Sequence, residues 1–512
     1  MGAARGWHGT RRSTRAMVHY LRRLLTAGAA YQAGDLLAKG IAVFTLPLYT
    51  RYLSKADFGA AETLLTAVIL LSILLRLGVG EAFVRFFFDD QDSSRRERIA
   101  STAVLFVAGA TTLLAGLGLT VAGSLSQALL GFHDATLASI ALLGLWAFTN
   151  LEIAYALLRV EERARTYLRA SLINVMLTVT FTVLLVVVQR DGARGLLLGN
   201  YAASAMVLLG LWWAERAKLR RGTVSRASLR GMLAFGLPTV PADASVYALQ
   251  VIDRAFLFRT QSHAAAGLYA VAIKLATVVF VAVRGFQYAW PPLAYSVTDD
   301  AEAAELYSLV TTYYALATGV VVAGVTLLGR WMVRLINPSY YAAHSALPWL
   351  ALGWALYGLY LVFVVIAGRA RVTRRNLPAA LAGLAVNVVA LVLLVPALGI
   401  AGAGIALCAA YGAMLLVIWR LTWKLFAVGF QWLRLAKLAL VLAGVAVGGE
   451  LLLPTHGWDG FLSRTGAFAL IAPILFGVRF FEPRELARAR SLLGAGLKRA
   501  RARPPHADQP LP

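Results

Sequence analysis

Mostly apolar stretches of about 20 residues or more recur along the whole chain, separated by short polar breaks. About 20 such residues is the length an α-helix needs to cross the hydrocarbon core of a bilayer. The pattern predicts spans near 24–50, 61–85, 100–123, 135–158, 170–188, 195–214, 231–257, 264–296, 307–329, 346–366, 377–396, 402–419, 436–453 and 464–481. These are fourteen helices of an all-α polytopic membrane protein, an even number that leaves both termini on one side. Spans 5 and 6 are joined only by residues 189–194, so they must be tight antiparallel neighbours. Pro47, Pro238, Pro291, Pro292 and Pro348 fall inside spans and mark kinks, which a bundle tolerates because neighbouring helices satisfy the freed carbonyls.

Composition agrees. Hydrophobic residues make up 59% of 512 and charged residues 14%, against about 25% charged in a soluble domain. The net charge of +24 would suggest nucleic acid in a soluble protein. Here its placement excludes that reading. Lys and Arg crowd alternate connections: residues 5–23, Arg95, Arg96 and Arg98, Arg159 to Arg169, Arg216 to Arg230, Arg369 to Arg375, Arg420 to Lys437, and the tail after Val478. The intervening connections hold few. This is the positive-inside pattern, and it places both termini in the cytoplasm of a bacterial inner-membrane protein. The connection 297–306 breaks the pattern, being acidic where a basic loop is expected. The first apolar run carries Asp35 and Lys39 and is too long for a signal-peptide core, so a retained first span is expected.

Sliding the chain against itself by 208 residues sets Asp35 on Asp243, Arg51 on Arg259, Gly59 on Gly267 and Arg76 on Arg284. The shift carries span 1 onto span 7 and preserves orientation. It therefore implies two parallel six-helix lobes around a central cavity, related by an axis along the membrane normal. The expected organisation is a basic N-terminus (1–23), an N-lobe (24–214), a basic linker (215–230), a C-lobe (231–419) and two further helices (436–481). The tail (482–512) is amphipathic and basic at first, suited to the anionic lipids of the cytoplasmic leaflet, and disordered at its end.

An ionisable side chain at bilayer depth costs about 2.5–3.5 kcal/mol, so each needs a partner or a function. Spans 1, 2, 7 and 8 concentrate them. Lys39, Arg76, Arg254, Lys274 and Arg284, with Glu152 in span 4, are candidates for lining a substrate cavity. Guanidinium groups there suit bidentate contact with phosphate or carboxylate. Asp35, Asp243 and Asp253 are candidates for coupling to H⁺ or Na⁺, and Asp35 and Asp243 also for pairing with Lys39 and Lys274. Glu81 and Arg85, four residues apart, form a candidate helix–helix ion pair. Asp253 and Arg254 are adjacent and cannot face each other, so each requires a partner elsewhere. The tally is nearly balanced, six basic to five acidic.

Enzymatic motifs are absent. There is no nucleotide-binding P-loop, and the glycines of Gly402-Ala-Gly404-Ile-Ala-Leu407 lack a dinucleotide fingerprint. The seven histidines show no metal-ligand spacing, and the single cysteine, Cys408, allows no internal disulfide. Neither catalytic residues nor a bound cofactor or metal is expected.

Four segments together resemble the polysaccharide-transporter and O-antigen flippase family of the multidrug/oligosaccharidyl-lipid/polysaccharide exporter superfamily. They are Gly34 to Gly40 continuing through Leu46 to Gly59; Phe235-Gly-Leu-Pro238 with Asp253-Arg254 and Ala266 to Leu275; Asn337 to Ala343 with Leu347-Pro348; and Val395 to Ile405. The resemblance implies fourteen helices in two lobes, alternating access, and outward transfer of a polyprenyl-diphosphate-linked oligosaccharide. The expected partners are that lipid-linked oligosaccharide, membrane lipids, and polysaccharide polymerase and chain-length proteins. The family's cavity is typically cationic, whereas the balanced tally here sets a strongly anionic substrate in doubt. Three alternatives are a lipid II flippase, a cation-coupled drug exporter, and a non-transporting scaffold for a glycan-assembly complex.

Overall fold

The computed structural model describes residues 41, 45–89, 92–221, 224–238, 240–297, 299–370 and 375–483. Most of span 1, with Asp35 and Lys39, the basic N-terminus and most of the tail lie outside them, as do the side chains of Asp243 and Arg284. The described residues are mostly helical and contain no strand. Eleven helices among them are long and apolar enough to cross a membrane. This is an integral membrane protein.

A helical stretch at 45–52 is followed by α1 (Lys55–Arg76) and α2 (Val79–Asp89). Span 2 was expected at 61–85, but Ser54 starts the helix earlier. Its hydroxyl accepts the Asp57 amide at 3.0 Å, capping the first turn, and it donates to the Asp57 carboxylate at 2.6 Å. The same span is broken at Leu77 and Gly78, both with positive φ. Span 7 is likewise two helices, α8 (Arg226–Gly236) and α9 (Val240–Thr260), separated around Pro238. The breaks meet: a Cβ on Gly78 would lie 2.2 Å from the Gly236 carbonyl oxygen, so the two backbones cross with no room for a side chain.

Between these broken spans come α3 (Ser93–Thr120), α4 (Ala122–Leu130), α5 (Ala135–Val160), α6 (Ala164–Thr182) and α7 (Gly192–Arg221). After them come α10 (His263–Ser296), α11 (Asp300–Val333), a 3₁₀ segment (Pro338–Ser345), α12 (Leu347–Arg369) and α13 (Asn376–Thr422). At 47 residues α13 would be about 70 Å long if straight, twice the bilayer. It is a hairpin: the chain turns at Gly399 (φ 56°), and a Cβ on Gly383 would meet the Met414 side chain at 2.4 Å. Spans 11 and 12 are therefore antiparallel neighbours. Finally α14 (Trp432–Leu452) and α15 (Gly457–Gly477) form the last two spans.

The acidic stretch 297–306 has a local explanation. Span 9 begins at Asp300 instead of 307, Asp299 accepts the Glu302 amide at 2.9 Å, and Asp300 and Glu302 occupy the first turn. Carboxylates there complement the exposed N–H groups and the positive end of the helix dipole.

Packing divides the chain into two units, Met1–Val297 with Gly329–Ala427, and Thr298–Leu328 with Val428–Pro512. In the first, α1 lies against α5, α7, α9 and α10, while α9 and α12 pack on α13. A Cβ on Gly59 of α1 would stand 2.6 Å from the Gly267 amide nitrogen of α10. These two glycines are the pair matched by the 208-residue shift, and mutual contact is what residues beside a twofold axis make. In the second unit Ala323, Leu438, Ile471, Leu475 and Phe480 form an apolar core. Arg464, fully buried, ties that unit together. It contacts Glu450 at 2.5 Å and donates to the carbonyls of Pro454 (3.0 Å), Leu327 and Leu453 (both 3.3 Å).

Candidate functional site

The deepest charges of the first unit gather where α1, α9, α10 and α13 meet. Because α1 starts at Lys55, Glu62 falls in its second turn, on the face turned to α9 and α10. Its carboxylate lies 2.7 Å from Lys274 Nζ of α10, and the carboxylate-bearing side chain is only 8% exposed. The ammonium also stands 5.6 Å from the centre of the Phe58 ring, one helical turn before Glu62. Phe58 in turn sits edge-on to Tyr340, whose hydroxyl donates to the Leu53 carbonyl at 3.0 Å.

Asp253 and Arg254 of α9 are buried, at 0% and 3% exposure, and successive helical positions send them to different neighbours. Arg254 reaches α1, where Nη1 donates to the Glu62 carbonyl at 3.2 Å. Its Nε has no hydrogen-bond partner among the described residues. Asp253 faces α10 and α13: it accepts from the Tyr269 hydroxyl at 2.8 Å and from Asn387 Nδ2 at 3.0 Å. Asn387 Oδ1 and the Tyr411 hydroxyl, both on α13 and both fully buried, have no partner among the described residues. Tyr411 is near enough to interact with the Asp253 charge.

Two chemically distinct sites thus lie side by side. One joins Lys274 to the Glu62 carboxylate and Arg254 to the Glu62 backbone carbonyl. Guanidinium N–H groups in such a cluster are suited to anionic oxygens. The other is a polar cluster in which the Asp253 carboxylate accepts from the Tyr269 phenol and the Asn387 amide nitrogen, with the Asn387 oxygen and the Tyr411 hydroxyl also buried nearby on α13. A carboxylate, an amide oxygen and phenol oxygens are the donor set of a hard monovalent cation, and a carboxylate among neutral partners can equally take a proton.

The remaining predicted residues are distributed more widely. Arg76 ends α1 at the Gly78 break and donates from Nε to the Ser72 carbonyl at 3.3 Å; no carboxylate pairs with it among the described residues. Glu152 is half-buried on α5 and makes no ion pair among the described residues. The expected Glu81–Arg85 pair is not formed. Glu81 is exposed, and Arg85 instead lies 4.6 Å from the Phe235 ring centre of α8, because α2 and α8 pack where their spans break. Lys274, expected near Asp243, pairs with Glu62.

Sequence reasoning passed over Glu62, Tyr269 and Asn387. Glu62 sat at the edge of the predicted span, where a carboxylate belongs to the interface; the Ser54 cap that moves it inward was the available signal. Asn387 is a lone amide within the apolar run 377–396, a buried polar group that needs a partner.

Residues 25–296 match the family of polysaccharide biosynthesis proteins. Lsg locus protein 1 of Haemophilus influenzae is 25% identical over 273 residues, which cover 52% of this chain and 64% of that protein, just under two thirds of its length. Among solved structures, the lipid II flippase MurJ in an inward closed conformation superimposes with a TM-score of 0.72 at 13% identity, covering 88% of this chain and 98% of that one. An inward-facing multidrug resistance MATE family transporter of the MOP superfamily gives 0.63 at 16% identity, covering 77% and 95%. At these identities the likeness is one of fold: that of membrane transporters.

Proposed function

The chain belongs to the polysaccharide biosynthesis protein family, and from that premise we propose that it is a flippase. Its substrate would be a polyprenyl-diphosphate-linked oligosaccharide, the repeat unit of an O-antigen, capsule or exopolysaccharide, carried from the cytoplasmic to the outer leaflet of the inner membrane. The observation that carries this reading is the concentration of buried charge where α1, α9, α10 and α13 meet, in a chain whose fold is that of transporters. Ionisable groups held inside a membrane are costly to keep and mark a functional site by default.

In this mechanism two six-helix lobes, 24–214 and 231–419, rock against each other. The Gly59–Gly267 contact supports that division, since it joins repeat-related positions across the α1–α10 boundary. With both termini cytoplasmic, the N-terminal ends of α1 and α10 face outward, so this contact closes the interior toward the outside. Arg254 and Lys274, with Arg76 and Arg284, neutralise the diphosphate, while the polyprenyl chain stays in lipid. Asp253 with Tyr269 and Asn387 takes the coupling cation, H⁺ or Na⁺; Lys39, Asp35, Asp243 and Glu152 complete the polar path.

Surface glycan in cells tests the assignment of the arginines. In cells lacking the native gene, the wild-type chain restores surface glycan, and the Arg76→Ala/Arg284→Ala double variant reaches the membrane without restoring it. Full restoration by the double variant overturns the cavity role. Competing transport of lipid II is the second reading, favoured by the fold likeness at TM-score 0.72. It predicts rescue of cells depleted of their lipid II flippase.

A further inference from the structure

The segment Asn337 to Ala343 joins spans 9 and 10, and it is folded tightly for a connection. The Asn337 side-chain oxygen accepts the Ser339 amide at 2.9 Å, its carbonyl accepts the Tyr340 amide at 2.9 Å, and Pro338 begins the 3₁₀ turn. The segment packs on α10, α12 and α13, and Tyr340, Ala343 and Ala346 are fully buried. By these contacts it belongs with the helices of the proposed C-lobe. Tyr340 alone of these three carries a long polar side chain, and it reaches N-lobe residues. Its hydroxyl donates to the Leu53 carbonyl at 3.0 Å, and its ring stands edge-on to Phe58 with centres 6.2 Å apart.

Both partners of Tyr340 sit at consequential positions. Leu53 lies at the bend between the helical stretch 45–52 and α1, so its carbonyl stands outside both helices. A buried carbonyl needs a donor, and Tyr340 supplies one from the other side of the lobe boundary. Phe58, fully buried, is the wall on which the Tyr340 ring rests. The Lys274 ammonium stands 5.6 Å from the centre of the same Phe58 ring while it contacts the Glu62 carboxylate at 2.7 Å. Phe58 therefore has the charge cluster on one side and Tyr340 on another. The next residue along α1 is Gly59, which meets Gly267.

We propose that Tyr340 is the bolt of an outward gate and Phe58 its seat, positioning residues that act through the helices they join and not on the substrate. This rests on the flippase reading and its orientation, in which the N-terminal ends of α1 and α10 face outward. The Tyr340–Leu53 bond and the Gly59–Gly267 contact then close the same end of the molecule. The glycine contact is bare backbone packing. The hydroxyl bond is the exchangeable part, because water can replace either partner once the lobes separate. When an anionic oxygen of the substrate draws Lys274 away from Glu62, Phe58 loses the cation beside its ring, and Tyr340 loses a fixed wall. Binding inside thereby loosens closure outside. That is the differential contact a ligand must make to shift a two-state equilibrium.

The test is a pair of spin-label distances, measured by double electron–electron resonance on the full-length Cys408→Ser protein. The protein is held in nanodiscs of phosphatidylethanolamine and phosphatidylglycerol, without substrate. Labels at Val121→Cys and Leu335→Cys report the outward end, and labels at Arg98→Cys and Lys424→Cys the cytoplasmic end; all four positions are exposed. Tyr340→Phe keeps the ring and removes the hydroxyl. It is expected to raise the ratio of long to short outward distances at least about fivefold, as loss of one buried hydrogen bond does, while the cytoplasmic pair shortens. Phe58→Leu and Lys274→Gln are expected to shift both pairs the same way. Tyr341→Phe, at the exposed neighbouring position, should leave both unchanged. Unchanged outward distances in the well-folded variants overturn the gate. So does lengthening of both pairs, which is general loosening, or an equal response to Tyr341→Phe. Since no substrate is present, a response in a protein that flips no glycan lipid keeps the gate and removes the flippase reading. Flipping without a response does the reverse.

Discussion

Asp253 illustrates how a membrane interior uses a single charge. Its two partners, Tyr269 and Asn387, are neutral donors, and the arginine next to it in sequence is turned away to α1. A carboxylate held this way gains or loses a positive partner, a proton or a metal cation, at little structural cost. Asp253→Asn keeps the shape and hydrogen-bonding capacity while removing the exchangeable charge. Export by this variant is expected to fall by roughly tenfold or more, a barrier change of about 1.4 kcal/mol, and to lose its response to an imposed Na⁺ or H⁺ gradient. Unchanged gradient dependence in reconstituted vesicles removes Asp253 from the coupling role. Arg464 is a contrasting case, since its charge is spent on structure. Arg464→Met removes the cation beside the half-buried Glu450 and the donor to three backbone carbonyls, and should cost about 3 kcal/mol. Adding Glu450→Leu should recover most of that loss, as read by thermal unfolding in detergent; a double variant no more stable than the single one contradicts the account.

At the scale of helices, packing is set by glycines where backbones approach. Gly59→Val places a side chain where Gly267 leaves no space, an overpacking cost of about 1–3 kcal/mol if the helices stay together. The expected result is that α1 and α10 separate. In a Cys408→Ser background, a cysteine introduced near this contact should become more reactive to a water-soluble maleimide, and export should fall. Unaltered labelling and export would show that the contact does not bear on transport. The helices themselves were legible in the sequence, because apolar runs of bilayer length have one stable solution in lipid. The hairpin of α13 was legible for the same reason, from the break between 396 and 402. The interruptions at Leu77 and Pro238 were only half visible: the proline announced a kink, but nothing in the pattern indicated that Gly78 and Gly236 would cross. Partners across the bundle were least legible. Arg254 and Glu62 are 192 residues apart, and periodicity says which face a side chain shares, not which helix will cover it. Glu81 and Arg85 have the spacing of a pair on one helix, yet Arg85 lies 4.6 Å from the centre of the Phe235 ring of α8.

For the molecule as a whole, the family is that of polysaccharide biosynthesis proteins, the fold is the one seen in MurJ and a MATE transporter, and the buried charge lies where repeat-related helices meet. The near balance of that charge has a structural basis. Glu62 and Asp253 together balance Arg254 and Lys274, so the junction carries no large excess of either sign. The central claim is that this chain alone moves a lipid-linked oligosaccharide between leaflets. The most direct measurement is reconstitution of the purified protein in liposomes carrying a fluorescent polyprenyl-diphosphate oligosaccharide in both leaflets, with a membrane-impermeant quencher added outside. The wild-type chain should expose the inner-leaflet pool within minutes, and the Arg254→Ala/Lys274→Ala variant should leave about half of the fluorescence protected, as empty liposomes do. Protection of that half by the well-folded wild-type protein, with the ion gradient imposed in either direction, would contradict the account.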